Sequence, residues 1–585
     1  MPGRAHQVSG IPPVHQRHTH YSLDLNKYLR KWIPLSVLIG VAGGFGGLLL
    51  QLGLQLVKSI SYGVPGLPWY LVLLSPAIGA LLAGLIMERY TPETAGQGMS
   101  CVIDALNYRG GEIRPLTSPI KLIVTTLTVG SGGSGGREGP IAQICGGLAT
   151  YLANRLNLRH EDLKIFVICS ISAGTSAVFH APIGGAIFAL ELPYKNDLEG
   201  RAIIPASLSS VAAYIVYLPI IGTAPVFVLP TAMTTFVLED IPVFLLIGLL
   251  AGIVGIAFVV LQRFIRSRFR VAKIALHWKT TIGGIMIGTV GVFLPQVMGL
   301  GLTTIQTILL GGFTVTFLLI LLPMKIVATS ITVGSYGSGG VFTSSLLCGA
   351  CLGGLVASLL SLQPVPLFMV VGMGAMAAGV TKTPIGAAII VSEMSGGYHL
   401  FIPLVIASIV GYIATGNYAM YENQTTRGWI PVNMDDLSVI KVKDLMATNT
   451  VSLRASDAVQ RAYTIAEVEP QEYYPVMDEH NVVGIVDRGL LETEPRTGVR
   501  LGDRMSRDFL IVDQETTARA ALDEMTDRGI PQAVVTGPPG IVGILSFEEI
   551  LGVLGNICSP LDIARRPMGE GGKEEAVGAP SDRLK

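Results

Sequence analysis

One twelve-residue stretch combines residue types that suit the binding of an anion. Val129 to Pro140, VGSGGSGGREGP, holds six glycines and one arginine–glutamate pair, and apolar sequence lies on both sides. Glycine lets the backbone approach a ligand closely, and ionisable side chains are costly inside a membrane, where they usually serve a function. The position of Arg137 and Glu138 between apolar stretches therefore predicts a functional site.

The glycines also fit the G-x-G-x-x-G fingerprint of dinucleotide-binding proteins, but the context argues against that interpretation. No acidic residue follows at the required spacing, and the flanks are membrane-like. A phosphate-binding Walker A loop is disfavoured too, because Arg137 stands in place of the lysine. We favour a helix N-terminus: residues 141–156 look helical, and the backbone N–H groups ahead of them can bind an anion.

The glycine loop occurs twice along the chain. Residues 119–136, PIKLIVTTLTVGSGGSGG, and 323–340, PMKIVATSITVGSYGSGG, are identical at 11 of 18 positions at an offset of 204. A second match at an offset of 202 pairs APIGGAIFALE, which ends at Glu191, with TPIGAAIIVSE, which ends at Glu393. Duplicated halves in transporters are often inverted across the membrane, so that half-helix N-termini meet near its middle and point at an anion.

Glu138 gains a role from this arrangement. Its carboxylate can occupy the electropositive position that the anion would take, and protonation or displacement by the anion would open the path. The alternative is that Glu138 pairs with Arg137 or caps its own helix. The repeat favours the interpretation of Glu138 as a gate for the anion. A membrane enzyme or receptor that holds a phosphate at these loops is disfavoured, because no base accompanies their serines.

The elements that must position this site belong to a membrane part followed by a soluble tail. Charged residues are 14% of the 585 residues, against roughly 25% in soluble domains, and the net charge of zero gives no argument for nucleic acid. Residues 281–392 carry only two charged side chains, Lys325 and Lys382. Stretches long enough to cross about 30 Å of hydrocarbon are 33–56, 69–86, 203–221, 241–261, 281–300, 308–331 and, with interruptions, 366–413.

Glycine and proline interrupt many of these stretches, which predicts broken helices around a polar pathway. The basic cluster between Arg263 and Lys273 places its loop, and with it the tail and both termini, in the cytoplasm by the positive-inside rule. We therefore predict an all-α, multi-pass membrane protein of the plasma or inner membrane, with duplicated, inverted halves and a cytoplasmic α/β tail.

The tail repeats as well. Residues 442–446, VKDLM, match 501–505, LGDRM, and 482–486, VVGIV, match 541–545, IVGIL, both at an offset of 59. A helical segment lies between β-branched strands in each unit, which predicts two small α/β modules. The predicted domains are a leader (1–30), a membrane domain (31–430, half-repeats about 70–200 and 275–400), two modules (437–500 and 501–556) and a disordered tail (557–585).

These motifs together resemble the CLC family of chloride channels and proton-coupled chloride exchangers, with the paired CBS domains that many members carry. GREGP at 136–140, GGVFT at 339–343 and Tyr421 in AMYENQ match the family's motifs. The resemblance implies a homodimer in a lipid membrane, one chloride pathway per subunit, and neither enzymatic activity nor a metal or resident cofactor. It implies that Glu138 is the gate and that the anion is contacted by Gln97, Arg137, Glu138, Gly139, Val341, Phe342, Thr343 and Tyr421.

Two departures from the family pattern bear on the activity. Gln97 stands where the family's GSGIP motif has a serine, and its amide still donates hydrogen bonds but is bulkier, so nitrate or fluoride stays open beside chloride. Leu192 stands where coupled members have a second glutamate that relays protons. Leucine carries no proton, which favours a passive gated chloride channel, with a proton-coupled antiporter of the same fold as the alternative.

The resemblance also raises an adenine nucleotide as a ligand of the tail. Nucleotide-binding CBS pairs often place a serine or threonine and an aspartate after the glycine-containing strand. The candidates here are Asp487 in the first module and Ser546 with Glu549 in the second, which match that pattern incompletely. A structural or gating interface is the favoured interpretation of the tail.

Overall fold

The computed structural model is helical up to residue 425 and mixed α/β from residue 440. It describes residues 25–64, 66–230, 237–421, 423–425, 440–447, 450–469, 471, 473–479, 481–493, 499–530, 532–538, 540–547 and 549–550. Most of the predicted leader and all of the predicted disordered tail lie outside these residues. The first helix begins at Leu25, before the predicted end of the leader.

The membrane part consists of helices of very different length. Seven helices among the described residues are long and apolar enough to span a membrane, and apolar helices of 10–17 residues lie between and after them. The predicted broken helices are therefore present. The helices are α1 (Leu25–Ile60), α2 (Trp69–Tyr90), α3 (Met99–Tyr108), α4 (Thr117–Gly130), α5 (Glu138–Arg155), α6 (His160–Phe179), α7 (Pro182–Glu191), α8 (Ile203–Ile221), α9 (Ile241–Val271), α10 (Leu276–Phe293), α11 (Leu302–Leu309), α12 (Val315–Gly334), α13 (Phe342–Leu359), α14 (Val365–Thr381), α15 (Pro384–Met394) and α16 (Phe401–Ala414).

The two halves meet through reciprocal contacts. The amide of Gly136 donates to the carbonyl of Gly340 over 2.6 Å, and the amide of Gly340 donates back to Gly136 over 2.7 Å. These glycines are 204 residues apart, which is the offset of the repeat. Contacts that are exchanged in this way are what an approximate two-fold axis between the halves produces.

A second reciprocal contact joins α7 to α15. Glu191, the last residue of α7, accepts a hydrogen bond from the Gly386 amide at the start of α15 (2.7 Å). Glu393, near the end of α15, accepts one from the Gly184 amide at the start of α7 (2.7 Å). Each carboxylate satisfies orphan N–H groups and complements the dipole of the other helix. The structure thus gives Glu191 a helix-capping role.

The tail forms two modules with the same order of elements. In each, the first two strands are parallel and the last two antiparallel, with sheet orders β1-β2-β3 and β4-β5-β6. The elements are β1 (Leu453–Arg454), α17 (Val459–Val468), β2 (Tyr473–Asp478), β3 (Asn481–Asp487), α18 (Arg488–Thr493), β4 (Leu510–Asp513), α19 (Ala518–Arg528), β5 (Gln532–Gly537) and β6 (Gly540–Ser546).

The two modules exchange the segment that opens each sequence repeat. Val442 belongs to the apolar core of the second module, and its amide donates to Thr516 (2.9 Å). Leu501 belongs to the core of the first module, and its amide donates to Asp457 (2.9 Å). The predicted boundary after residue 500 therefore separates the sequence repeats, whereas each packed unit takes its opening segment from the other repeat.

Candidate functional site

The two glycine loops place the N-termini of α5 and α13 next to each other. Because the Gly136–Gly340 bridge lies just ahead of both helices, the first turn of each is held close to the other. A Cβ atom on Gly340 would lie 2.0 Å from Oε1 of Glu138, and one on Gly136 would lie 2.1 Å from Oε2. Glycine at both positions therefore leaves the space that this carboxylate fills.

The Glu138 carboxylate lies in the anion position that the sequence predicts. It is fully buried, and Oε1 accepts a hydrogen bond from the Phe342 amide over 2.6 Å. The Thr343 hydroxyl donates to Oε2 over 3.2 Å. Glu138 thus links the first turn of α5 to the first turn of α13. A carboxyl side chain therefore occupies a helix N-terminus of the kind that can bind a free anion.

Arg137 is buried next to Glu138 in the chain, but its side chain forms hydrogen bonds with other residues. Its guanidinium donates to the side chain of Gln51 and to the carbonyl of Val178, and it lies 5.7 Å from the centre of the Phe179 ring. No salt bridge between Arg137 and Glu138 occurs among the residues described. The alternative that Glu138 serves only as the partner of Arg137 therefore has no support in this geometry.

Gln97 and Tyr421 approach the same region from two other segments. The Gln97 amide nitrogen donates to Ser100 Oγ (2.7 Å) and to the carbonyl of Met420 (3.3 Å). Both amide hydrogens of Gln97 therefore have protein acceptors, and the side chain ties its loop to the Tyr421 segment. The Tyr421 hydroxyl is buried and has no hydrogen-bond partner within the part of the chain that the structure describes. A Cβ atom on Gly139 would lie 2.0 Å from the backbone carbonyl oxygen of Gln97, so the first turn of α5 packs against the loop that contains Gln97.

Apolar residues seal the site. Val341 and Phe342 are fully buried where α13 begins. The Phe342 ring centre lies 5.3 Å from that of Phe179 and 5.5 Å from that of Phe188. The low dielectric of such surroundings strengthens the interaction between the Glu138 carboxylate and the backbone amides.

Leu192 lies outside this cluster of polar contacts. It follows α7, is fully buried in the apolar core, and its carbonyl accepts a hydrogen bond from the Gln424 side chain (3.2 Å). The carboxylate of the preceding residue, Glu191, is engaged at the start of α15. A cavity of about 360 Å³ borders Glu191 and is lined further by Lys195, Lys382 and Tyr412.

The candidate residues of the tail separate into two places. Asp487 borders a cavity of about 300 Å³ that both modules line, together with Tyr473, Arg504 and Phe509. Ser546 and Glu549 instead bind each other: the Ser546 amide donates to Glu549 Oε2 (2.8 Å), and the Glu549 amide donates to Ser546 Oγ (3.2 Å). Such reciprocal bonds are those of a helix capping box. The structure therefore brings Asp487, but not the other two, to the cavity.

Two buried lysines near the loops are functional candidates that the sequence analysis did not identify. Lys121 on α4 and Lys325 on α12 occupy the same position of the repeat, and both are fully buried. Their identity in both halves was the available signal. No cluster of three or more potential metal ligands (His, Cys, Asp or Glu) occurs in the described ranges.

Comparisons with known proteins identify the family of the membrane part and a CBS domain in the tail. Residues 79–416 match the family model described as voltage gated chloride channel, and residues 501–556 match the CBS domain. A putative chloride channel protein ClcB-like of Ralstonia nicotianae is 31% identical, over 63% of this chain and 88% of its own length. The H(+)/Cl(-) exchange transporter ClcA of Vibrio cholerae is 30% identical, over 64% of this chain and 84% of its own.

Solved structures show the same fold. The crystal structure of a slow cyanobacterial Cl-/H+ antiporter is similar with a TM-score of 0.60 and 23% sequence identity. The similarity covers 68% of this chain and 96% of that chain. At this level of identity the comparison bears on the fold alone.

Proposed function

Because this chain belongs to the CLC family of voltage-gated chloride channels and chloride transporters, we propose that it exchanges chloride for protons across a membrane. It is a multi-pass membrane protein of a family that transports anions. The observation that carries the proposal is the Glu138 carboxylate, which is buried at the start of α13 and held by the Phe342 amide. One carboxyl group there is able both to carry a proton and to compete with the anion.

The mechanism follows from the charge of that group. Ionised, Glu138 is attracted to the backbone N–H groups at the start of α13 and blocks the anion position. Protonated, it loses most of that attraction, the position becomes free, and chloride takes the vacated N–H groups. Chloride that enters displaces the carboxyl group, and release of its proton restores the closed arrangement. Anion and proton therefore use the same position in turn.

The relatives favour exchange over the passive channel that the sequence analysis preferred. The Vibrio relative is named as an H(+)/Cl(-) exchange transporter. Leu192 does not exclude such coupling, because the cavity that borders Glu191 is large enough to hold water molecules. We infer that protons reach Glu138 through water on this side, without a carboxyl group at position 192.

A passive gated chloride channel is the second candidate function. Leu192 favours it, since leucine cannot relay a proton and its side chain lies in the apolar core. The Ralstonia relative is named as a putative chloride channel protein. In that case Glu138 opens the pathway when protonated but carries no proton across the membrane.

The remaining parts of the proposal concern assembly and surroundings. We propose a homodimer joined through α7 and α15, where Ile183 and Ile385 leave 53% and 43% of their surface exposed beside the reciprocal helix caps. We further propose that the tail and both termini lie in the cytoplasm, at a plasma or inner membrane, because the basic end of α9 favours that side by the positive-inside rule. The chain acts as a transporter, not as an enzyme, and the cavity at Asp487 is where an adenine nucleotide would bind if the tail senses one.

Flux measurements on purified protein in chloride-loaded liposomes separate the two candidates. Chloride efflux and external pH are followed together, with and without a protonophore. Exchange carries protons inward as chloride leaves, so the external solution turns alkaline even against a proton gradient. Chloride efflux without a coupled pH change would overturn exchange and establish the channel.

A further inference from the structure

Lys121 holds a backbone carbonyl that is shared with the opposite half of the chain. Its Nζ donates to the carbonyls of Thr94 (2.7 Å) and Gly96 (2.9 Å), just ahead of α3. The Gly96 carbonyl also accepts the amide of Gly339 (3.4 Å), which lies in the second glycine loop. A lysine of the first half is thereby connected, through one oxygen atom, to the loop that precedes α13.

Lys325 repeats the arrangement with the halves exchanged. Its Nζ donates to the carbonyls of Val297 (2.9 Å) and Gly299 (3.0 Å), just ahead of α11. The Gly299 carbonyl also accepts the amide of Gly135 (3.3 Å), in the first glycine loop. Each buried lysine therefore braces the loop that leads to the helix of the other half.

Burial of these two lysine side chains costs free energy. Both are fully buried, and neither forms an ion pair with a carboxylate in the described ranges. Removing an ammonium group from water costs several kcal/mol unless its surroundings compensate. A methionine or leucine would fill the same space without that cost. An ionisable residue at such a place in a membrane protein points to a function, and its named partners here are the shared carbonyls.

We propose that Lys121 and Lys325 are positioning residues that fix the separation of the two glycine loops, and with it the hold of α13 on the Glu138 carboxylate. The proposal rests on the role of Glu138 in the proposed function. Gly339 lies three residues before Phe342, whose amide binds that carboxylate, and Gly340 is bridged to Gly136. A shift of either loop therefore changes the distance across which Glu138 must reach.

Loss of the Lys121 ammonium favours the protonated form of Glu138. Without the Lys121 ammonium, the Gly96 carbonyl is less firmly placed, the second loop relaxes, and the Phe342 amide holds the ionised carboxylate less well. Because the ionised form is the one that loses stabilisation, protonation and opening occur at a higher pH. Within the described ranges, the other charged or titratable groups that interact with Glu138 are Arg137 and Tyr421, and the substitution changes neither.

The test compares the pH profile of chloride efflux in liposomes for Lys121→Met, in the natural chain and in a Glu138→Ala background. Weaker binding of the ionised carboxylate moves the midpoint of activation up by about 0.7 pH unit, which corresponds to about 1 kcal/mol. With Glu138 absent, the same substitution leaves the profile unchanged. Lys121→Arg, which keeps a donor and its charge, restores part of the shift. The matched control is Ser172→Ala, which removes a buried hydrogen bond between α6 and α8 (2.8 Å to the Ala206 carbonyl) and keeps the profile.

Two outcomes overturn the proposal: an unshifted midpoint in Lys121→Met, or an equal loss of flux in both backgrounds, which is what a purely structural role produces. Should Lys121→Met fail to reconstitute, Lys121→Gln and Lys325→Met are judged by the same two criteria. Failure of the proposed function is recognised separately. Proton coupling is measured on the natural chain in the same liposomes, and its absence would refute exchange while leaving the midpoint comparison valid.

Discussion

The Glu138 carboxylate and the Phe342 amide lie 2.6 Å apart, although the two residues are 204 positions apart in the chain. That separation equals the offset of the internal repeat, so Phe342 is the residue of the second half that corresponds to Glu138 in the first. The first half thus supplies a carboxyl group, on Glu138. The second half supplies a helix N-terminus with a backbone amide, that of Phe342, which binds this group. The duplication has diverged at this pair of positions, and in the proposed function this divergence is the origin of the gate.

Replacing Glu138 by alanine should remove the pH dependence of chloride flux and leave flux itself. The natural chain should conduct more as the solution is acidified from about pH 8 to about pH 5, since protonation releases the carboxylate. Efflux from liposomes measures both. Glu88→Ala is the control, because it removes a carboxylate that is hydrogen-bonded to His277 elsewhere in the membrane part. A variant at Glu138 that keeps the natural profile would refute the gate.

Replacing Leu192 by glutamate should strengthen proton coupling. The new carboxyl group would directly follow Glu191, the residue that borders the cavity. The ratio of protons to chloride, from simultaneous pH and chloride recordings, is expected to rise. Leu192→Gln is the matched control, because its polarity is similar but it takes up no proton. An equal ratio in both variants would show that water alone sets the coupling.

Replacing Glu393 by glutamine should destabilise the membrane part without altering anion selectivity. Glutamine keeps one carbonyl acceptor but no charge, so the hydrogen bonds from the Ile183 and Gly184 amides are weakened, at a cost of about 1 kcal/mol. Thermal unfolding in detergent should therefore begin at a lower temperature. Glu239→Gln, at an exposed carboxylate ahead of α9, should leave the unfolding temperature unchanged. An unchanged midpoint for Glu393→Gln would contradict the capping role.

How far the fold can be predicted from the sequence depends on what each helix faces. α2 and α10 are apolar over most of their length, and the stretches 69–86 and 281–300 predict them. α6 and α13 lie inside the protein: 83% and 89% of the residues in their most apolar 18-residue segments are buried. Close packing there selects small and hydroxyl residues as well as large apolar ones, so no predicted span covers these two helices.

The candidate site divides in a similar way. The repeat predicts that the loops at Gly136 and Gly340 meet, because both copies keep the glycines that allow it. Lys121, Lys325 and Arg137 donate hydrogen bonds to backbone carbonyls. Every residue type has a backbone carbonyl, so these partners cannot be recognised from the sequence. Sequence motifs therefore identify the candidate anion-binding residues and miss the residues that hold the backbone of the two loops.

Replacing Gln97 by serine should shift anion preference towards chloride. Serine is too short to keep the contact with the Met420 carbonyl, so the loop releases the Tyr421 segment and gains a hydroxyl in place of an amide. Relative chloride and nitrate efflux measures the change. Ser100→Ala removes one of the two acceptors but keeps Gln97, and should leave the ratio close to that of the natural chain. An identical ratio in Gln97→Ser would contradict the assignment.

Replacing Tyr421 by phenylalanine should weaken anion binding while leaving the fold intact. The hydroxyl is buried without a hydrogen-bond partner in the described part of the chain, so its removal breaks no contact described there. A buried donor without a protein acceptor is costly unless a ligand accepts from it, and an anion would do so. Loss of one such bond, about 1.4 kcal/mol, corresponds to about a tenfold lower affinity in calorimetric titration with chloride. Tyr217→Phe, at another buried tyrosine, is the control and should bind chloride as the natural chain does. Equal affinities for Tyr421→Phe and the natural chain would show that the hydroxyl does not contact the anion.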